Sequence, residues 1–80
     1  MLAKANLGGF YMTLAMAEIG QEFQIKKITG KDSTRRFLAN LGFIEGASVS
    51  VVSKLGNNQI ICVKDSRVAI DTSMANRILI

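Results

Sequence analysis

From Ser48 to Ile70, apolar and polar residues largely alternate, and the pattern breaks only at Gly56-Asn57-Asn58 and Asp65-Ser66. A period of two sends successive side chains to opposite faces of a strand, while Gly and Asn accept the positive backbone angles of tight reversals. The stretch therefore predicts three short antiparallel strands. Residues 48–53 turn Val49 and Val51 inward, with Val52 and the serines mostly outward. Residues 59–64 carry Ile61 and Val63 on one face and Ile60 and Cys62 on the other, which marks a central strand, and 67–70 bury Val68 and Ile70.

The flanks complete the pattern. Residues 22–28 place Phe23 and Ile25 on one face, and Ile28 then arrives one position out of phase, which predicts a β-bulge. Asp32, Ser33 or Thr34 can cap a helix whose apolar residues Phe37, Leu38 and Leu41 fall at helical spacing. Gly42 follows where the helix needs a left-handed stop, with Phe43 placed to fold back on the last turn and Glu45-Gly46 supplying the next reversal. Asp71 and Thr72 can cap a single helical turn over 72–76 that carries Met74 toward the core. Ile78 and Ile80 form a closing strand. The expected architecture is mostly β: a small five-stranded SH3-like barrel with one short helix after the first strand and a single helical turn before the last. The rival OB-like barrel places its helix between the third and fourth strands. No proline, repeat or low-complexity tract divides the 80 residues, so 12–80 reads as one domain behind a flexible extension over 1–11. With 49% hydrophobic and 20% charged residues, a packed core is within reach.

The same residues leave little for chemistry. Histidine is missing, the six acidic residues are scattered singly, and the lone Cys62 lies mid-strand, where a packed, inert thiol is expected. No enzyme activity, catalytic residue or cofactor is expected. A ferrous ion wants clustered imidazole, carboxylate or thiolate donors, so no metal site is expected either, and Met74 reads as core filler, with Met1, Met12 and Met16 in or beside the extension. Gly8-Gly9 lacks the Lys-Ser/Thr of a phosphate loop. The apolar run 7–19 is interrupted by Gly8-Gly9 and Glu18 and is too short to span a bilayer. Lys4 and Ala15-Met16-Ala17 only faintly imitate a signal peptide. A single cysteine excludes an intrachain disulfide and fits a reduced, cytoplasmic setting.

Charge is what the chain does offer. Net charge is +4, and Lys26, Lys27, Lys31, Arg35 and Arg36 crowd into one stretch opposed only by Asp32. A solvated surface is the plain reading of such a run. Against it, arginines in a first helical turn oppose the helix dipole at about 0.3–1 kcal/mol apiece, which hints at use. Lys26, Lys27, Arg35 and Arg36, with exposed parts of Phe43 and Ile44, are therefore the expected partner-binding residues, charge steering and apolar groups anchoring. Nucleic acid is a poorer partner, because one tyrosine and no tryptophan leave few stacking platforms. Exposed apolar residues near the extension also suggest weak homo-oligomerisation.

The run Arg35-Arg36-Phe37-Leu38-Ala39-Asn40-Leu41-Gly42-Phe43-Ile44-Glu45-Gly46 resembles the signature helix and turn of the FeoA family. Met12-Thr13-Leu14, the segment 25–30 after Gly20, the hairpin over 63–71 and Met74-Ala75 extend the resemblance to about residues 12–80. It implies a small cytoplasmic accessory protein of ferrous iron transport that acts on FeoB, a membrane transporter with a GTPase domain, at or near the inner, anionic membrane face. Similar domains end metal-dependent repressors, so a regulatory or nucleic-acid-binding module is the alternative class.

Overall fold

The computed structural model describes residues 12–80; the expected flexibility of 1–11 lies outside the described residues. A 3-10 turn at Leu14–Met16 leads into strands β1 (Glu22–Gln24) and β2 (Lys27–Ile28), then helix α1 (Asp32–Asn40). Strands β3 (Ser48–Leu55), β4 (Asn58–Val63) and β5 (Ser66–Asp71) follow, then the short helix α2 (Thr72–Ala75) and β6 (Ile78–Leu79). One sheet runs β1-β3-β4-β5 and the other pairs β2 with β6, all antiparallel.

The phase slip in the first expected strand is where the barrel turns its corner. Phe23 pairs with Val49 on β3, whereas Lys27 and Ile28 pair with Leu79 and Ile78 on β6. Between them the Ile25 N–H still donates to Ala47 O at 2.9 Å, and the next N–H, of Lys26, donates to Leu79 O at 2.7 Å. Ile25 and Ile28 are buried while Lys26 and Lys27 point to solvent, so a single chain serves both sheets. The five expected strands are thus six segments, the first being split by this break.

Both hairpins use two-residue turns. Leu55 pairs with Asn58 around Gly56-Asn57, with positive φ at Gly56 (58°) and not at Asn57, the signature of a type II′ turn. Val63 pairs with Ser66, so the second turn is Lys64-Asp65, one residue earlier than the expected Asp65-Ser66. Its φ values of 50° and 63° define a type I′ turn built from two non-glycine residues. The right-handed twist of the strands favours that turn, and the chain adopts it without a glycine, Asp65 tolerating the left-handed region better than Lys64 does.

Helix α1 begins one residue before the expected caps. Gly30, at φ 114°, turns the chain so that Lys31 takes the extended capping position, and Asp32 is the first helical residue; no side chain caps the helix. Asp32 still opposes the positive helix end and pairs with Arg35 at 3.6 Å. The C-terminus matches expectation. Gly42 N–H donates to Ala39 O and Phe43 N–H to Leu38 O, both at 2.9 Å, which is a Schellman stop with the hydrophobic contact between its ends.

The core joins Leu38 and Phe43 to Val49, Val51, Ile61, Val63, Ile70 and Ile78, with Leu14 and Ala17 entering from the segment before β1. That segment runs from β6 to β3: Thr13 bridges Leu79, Ile80 N–H donates to Met12 O, and Gly20 N–H donates to Val51 O. Gln59, 4% exposed, holds Ala15 O through Nε2 at 3.2 Å. Asp71 Oδ1 accepts the Met74 N–H at 2.8 Å, the cap expected of it, while Thr72 hydrogen-bonds Asn57 O.

Candidate docking surface

Helical spacing brings Asp32, Arg35, Arg36 and Ala39 onto one flank of α1, beside the inward stripe of Thr34, Leu38 and Leu41. They form one wall of a shallow, open cleft of about 480 Å³, with Ile28 and Phe43 beneath and Ile44 and Glu45 opposite. The stop at Gly42 is what swings Ile44 and Glu45 round to face the helix. An exposed i,i+3 pair such as Asp32–Arg35 is worth at most ~0.5 kcal/mol and yields readily to a better partner. It is the one ion pair among the described residues, so Arg36 has none there.

The expected site residues divide. Arg35, Arg36 and Ile44 line the cleft, and Ile44 is 41% exposed. Lys26 and Lys27 are exposed at the corner before Ile28 but do not line it. Phe43 corrects the expectation: at 1% exposure it is the largest fully buried side chain, so it supports the cleft floor and presents no anchor to a partner. Among the described residues the exposed aromatic is Phe37, 51% open, although it falls at helical spacing with Leu38 and Leu41. Leu38 and Leu41 already fill the stripe that faces the barrel, and Phe37 falls on its opposite flank from Arg35. Arg77 was also missed. It borders a second depression with Gly30, Lys31, Thr34, Ser73 and Met74, so basic side chains lie on both sides of the α1 N-terminus. Their separation in sequence hid this; Thr29 meets Arg77 O through its N–H at 2.8 Å, which joins the segments.

Among the described residues no group of three or more His, Cys, Asp or Glu side chains could hold a metal ion, and no helix is long and apolar enough to cross a membrane. Cys62 is half-buried on the outer face of β4, opposite Arg67. The surface is thus equipped for recognition by charge and apolar contact.

The FeoA domain family model matches residues 12–80. The chain belongs to the FeoA family. Among solved structures, an iron uptake regulatory protein, also a FeoA, is 25% identical with a TM-score of 0.81, the match covering 88% of this chain and 95% of that one. The FeoA of Stenotrophomonas maltophilia, an SH3-domain protein solved with zinc, is 26% identical with a TM-score of 0.75, over 86% of this chain and 89% of that one. A manganese-dependent transcriptional repressor is 14% identical with a TM-score of 0.79 and covers 86% of this chain, which spans 40% of the repressor's length; that likeness is one of fold. No curated protein matches. This FeoA domain is accordingly an SH3-like barrel, and the OB-like alternative falls.

Proposed function

We propose that this FeoA domain is a cytoplasmic accessory protein of ferrous iron uptake that binds the cytosolic part of a FeoB-type transporter through the α1 cleft. Family membership over residues 12–80 supports the iron-uptake role; one relative is an iron uptake regulatory protein, and the FeoA of Stenotrophomonas maltophilia has been put forward as a ferrous iron transport activating factor. The observation that carries the binding face is the grouping of Arg35 and Arg36 with exposed Ile44 around an open cleft; α1 starts at Asp32, so the two arginines are its fourth and fifth residues, and the dipole penalty expected of a first-turn pair does not reach Arg36. Guanidinium groups suit bidentate contact with carboxylates, so the matching patch is acidic. Lys26 and Lys27 steer the approach, either to that patch or to the anionic lipid beside it.

The relative from Stenotrophomonas maltophilia holds zinc, but the donor set here does not fit a resident ion: the chain has no histidine, and its described carboxylates and thiol do not cluster. In this reading iron is cargo for the partner, and the domain acts through contact. The likeness to a repressor favours a second reading as a regulatory module that touches nucleic acid, which salt-dependent retention on DNA would reveal.

A pull-down of the FeoB cytosolic domain by Arg35→Glu plus Arg36→Glu, with melting curves showing an intact barrel, tests the face. Binding should fall at least tenfold. Full retention by the folded double variant would discard it. Partner GTPase rate, measured with and without the domain, then reports whether contact alters turnover.

A further inference from the structure

Strand β5 is an edge. It pairs with β4, and among the described residues no strand lies on its other side. Because Val63 and Ser66 close a two-residue hairpin, they form a hydrogen-bonded pair, and the antiparallel ladder then alternates. Ser66, Val68 and Ile70 turn their backbone groups to β4, which leaves those of Arg67, Ala69 and Asp71 directed outward. The N–H and C=O of Arg67 and Ala69 have no other backbone partner among the described residues. All three residues are exposed.

Charge on an edge strand ordinarily discourages pairing with a second chain. Here its placement does the reverse. Arg67 and Asp71 stand symmetrically about Ala69, so an antiparallel copy centred on Ala69 sets Arg67 opposite the copy's Asp71 at both ends of the contact. Ala69 meets itself on the two-fold axis, where the outward N–H and C=O of each copy face those of the other. Of the other registers that keep outward-directed groups facing each other, centring on Arg67 or Asp71 sets like charges together, centring on Val68 sets Asp65 against Asp71, and centring on Ile70 runs Arg67 past the strand end to Ser73 of α2, with no opposite charge to meet it. Asp71 can serve both roles, since Oδ1 holds the Met74 N–H and its second oxygen remains for the arginine.

We infer that β5 is a self-complementary edge through which two copies of this chain pair antiparallel about Ala69, Arg67 of each facing Asp71 of the other, to make one continuous eight-stranded sheet. A symmetric interface of this kind closes at the dimer. No residue of β5 lines the α1 cleft, so the pair would present two docking faces. The inference does not depend on what those faces bind.

Sedimentation equilibrium of the full chain, together with amide hydrogen exchange, tests it. The unaltered chain should show a monomer–dimer equilibrium, with exchange at Arg67 and Ala69 slowing as concentration rises. Ala69→Lys sets two ammonium groups against each other on the axis, and Ala69→Pro removes an N–H that the monomer leaves to solvent, a position where an edge strand tolerates proline. Each should raise the dissociation constant at least about tenfold while the barrel keeps its circular dichroism. A chain that stays monomeric near millimolar concentration overturns the inference, as does a dimer indifferent to both variants. Protection of the two amides that is independent of concentration would also overturn it, since another segment of the same chain, and not a second copy, would then cover the edge.

Discussion

Gly42 both stops α1 and aims the cleft wall, so its replacement by alanine tests the fold where it meets the site. Its φ of 105° lies beyond the left-handed well near about 57°, a region in which an L-residue costs roughly 1–2 kcal/mol, and the larger φ favours the upper end. An added Cβ would also sit 3.3 Å from Val63 Cγ2 and 3.5 Å from Lys64 Cδ. The lysine can swing aside, but Val63 is fixed in the core, and displacing it adds roughly 0.5–1 kcal/mol. Gly42→Ala should therefore cost about 2–3 kcal/mol, a large share of the roughly 4–12 kcal/mol available to a domain this size. At about 4–8 °C per kcal/mol, the melting temperature followed by circular dichroism should drop about 10–20 °C. Gly46→Ala is the control. Its φ of 88° is similarly unfavourable, yet a Cβ there meets nothing within 4 Å, so only backbone strain of about 1–2 kcal/mol is lost. If Gly42→Ala melted within about 4 °C of the parent, or no lower than Gly46→Ala, the reasoning from close approach would be refuted.

The two phenylalanines of the helix and its stop should behave oppositely: urea unfolding should show Phe43→Ala losing about 3–5 kcal/mol and Phe37→Ala less than about 1, because only the former sits in the core. A comparable loss from both would mean that α1 is rotated from its place here. Lys64→Asn with Asp65→Gly installs residues suited to the type I′ turn and should gain about 0.5–1 kcal/mol in the same assay; a loss would show that the lysine has an unseen contact. Asp71→Ala removes the one side-chain cap of α2 and should cost about 1 kcal/mol, visible as a melting shift of several degrees.

Much of this architecture is written locally. Alternation fixes β3 to β5, Gly56-Asn57 fixes their first reversal, and Gly42-Phe43 fixes the end of α1, because each depends on backbone preferences that neighbouring residues carry. Even the corner between β1 and β2 shows as the late arrival of Ile28. What the sequence could not show are choices made across the chain. That one strand should divide between two sheets depends on β6, about fifty residues away. The turn at Lys64-Asp65 follows from the pairing of Val63 with Ser66, whose twist overrides the poor turn propensity of lysine.

The proposed docking face was half legible for a related reason. Charge is a property of residue type, so Arg35 and Arg36 could be singled out directly, although the helix starts early enough, at Asp32, to carry them past its first residues. Exposure is a property of orientation. Phe37 and Phe43 are alike in type and lie within a few residues of Leu38; what separates them is that the chain reverses at Gly42 and carries Phe43 under the helix, onto Leu38. The aromatic next to the arginines in sequence therefore stays outside, and the one beyond the glycine goes in. A partner that reads this surface meets Ile44 and the guanidinium groups over a floor that Phe43 stiffens from below, so changes at Phe43 should weaken binding only to the extent that they unfold the barrel, whereas changes at Arg36 should weaken it in a barrel that melts unchanged.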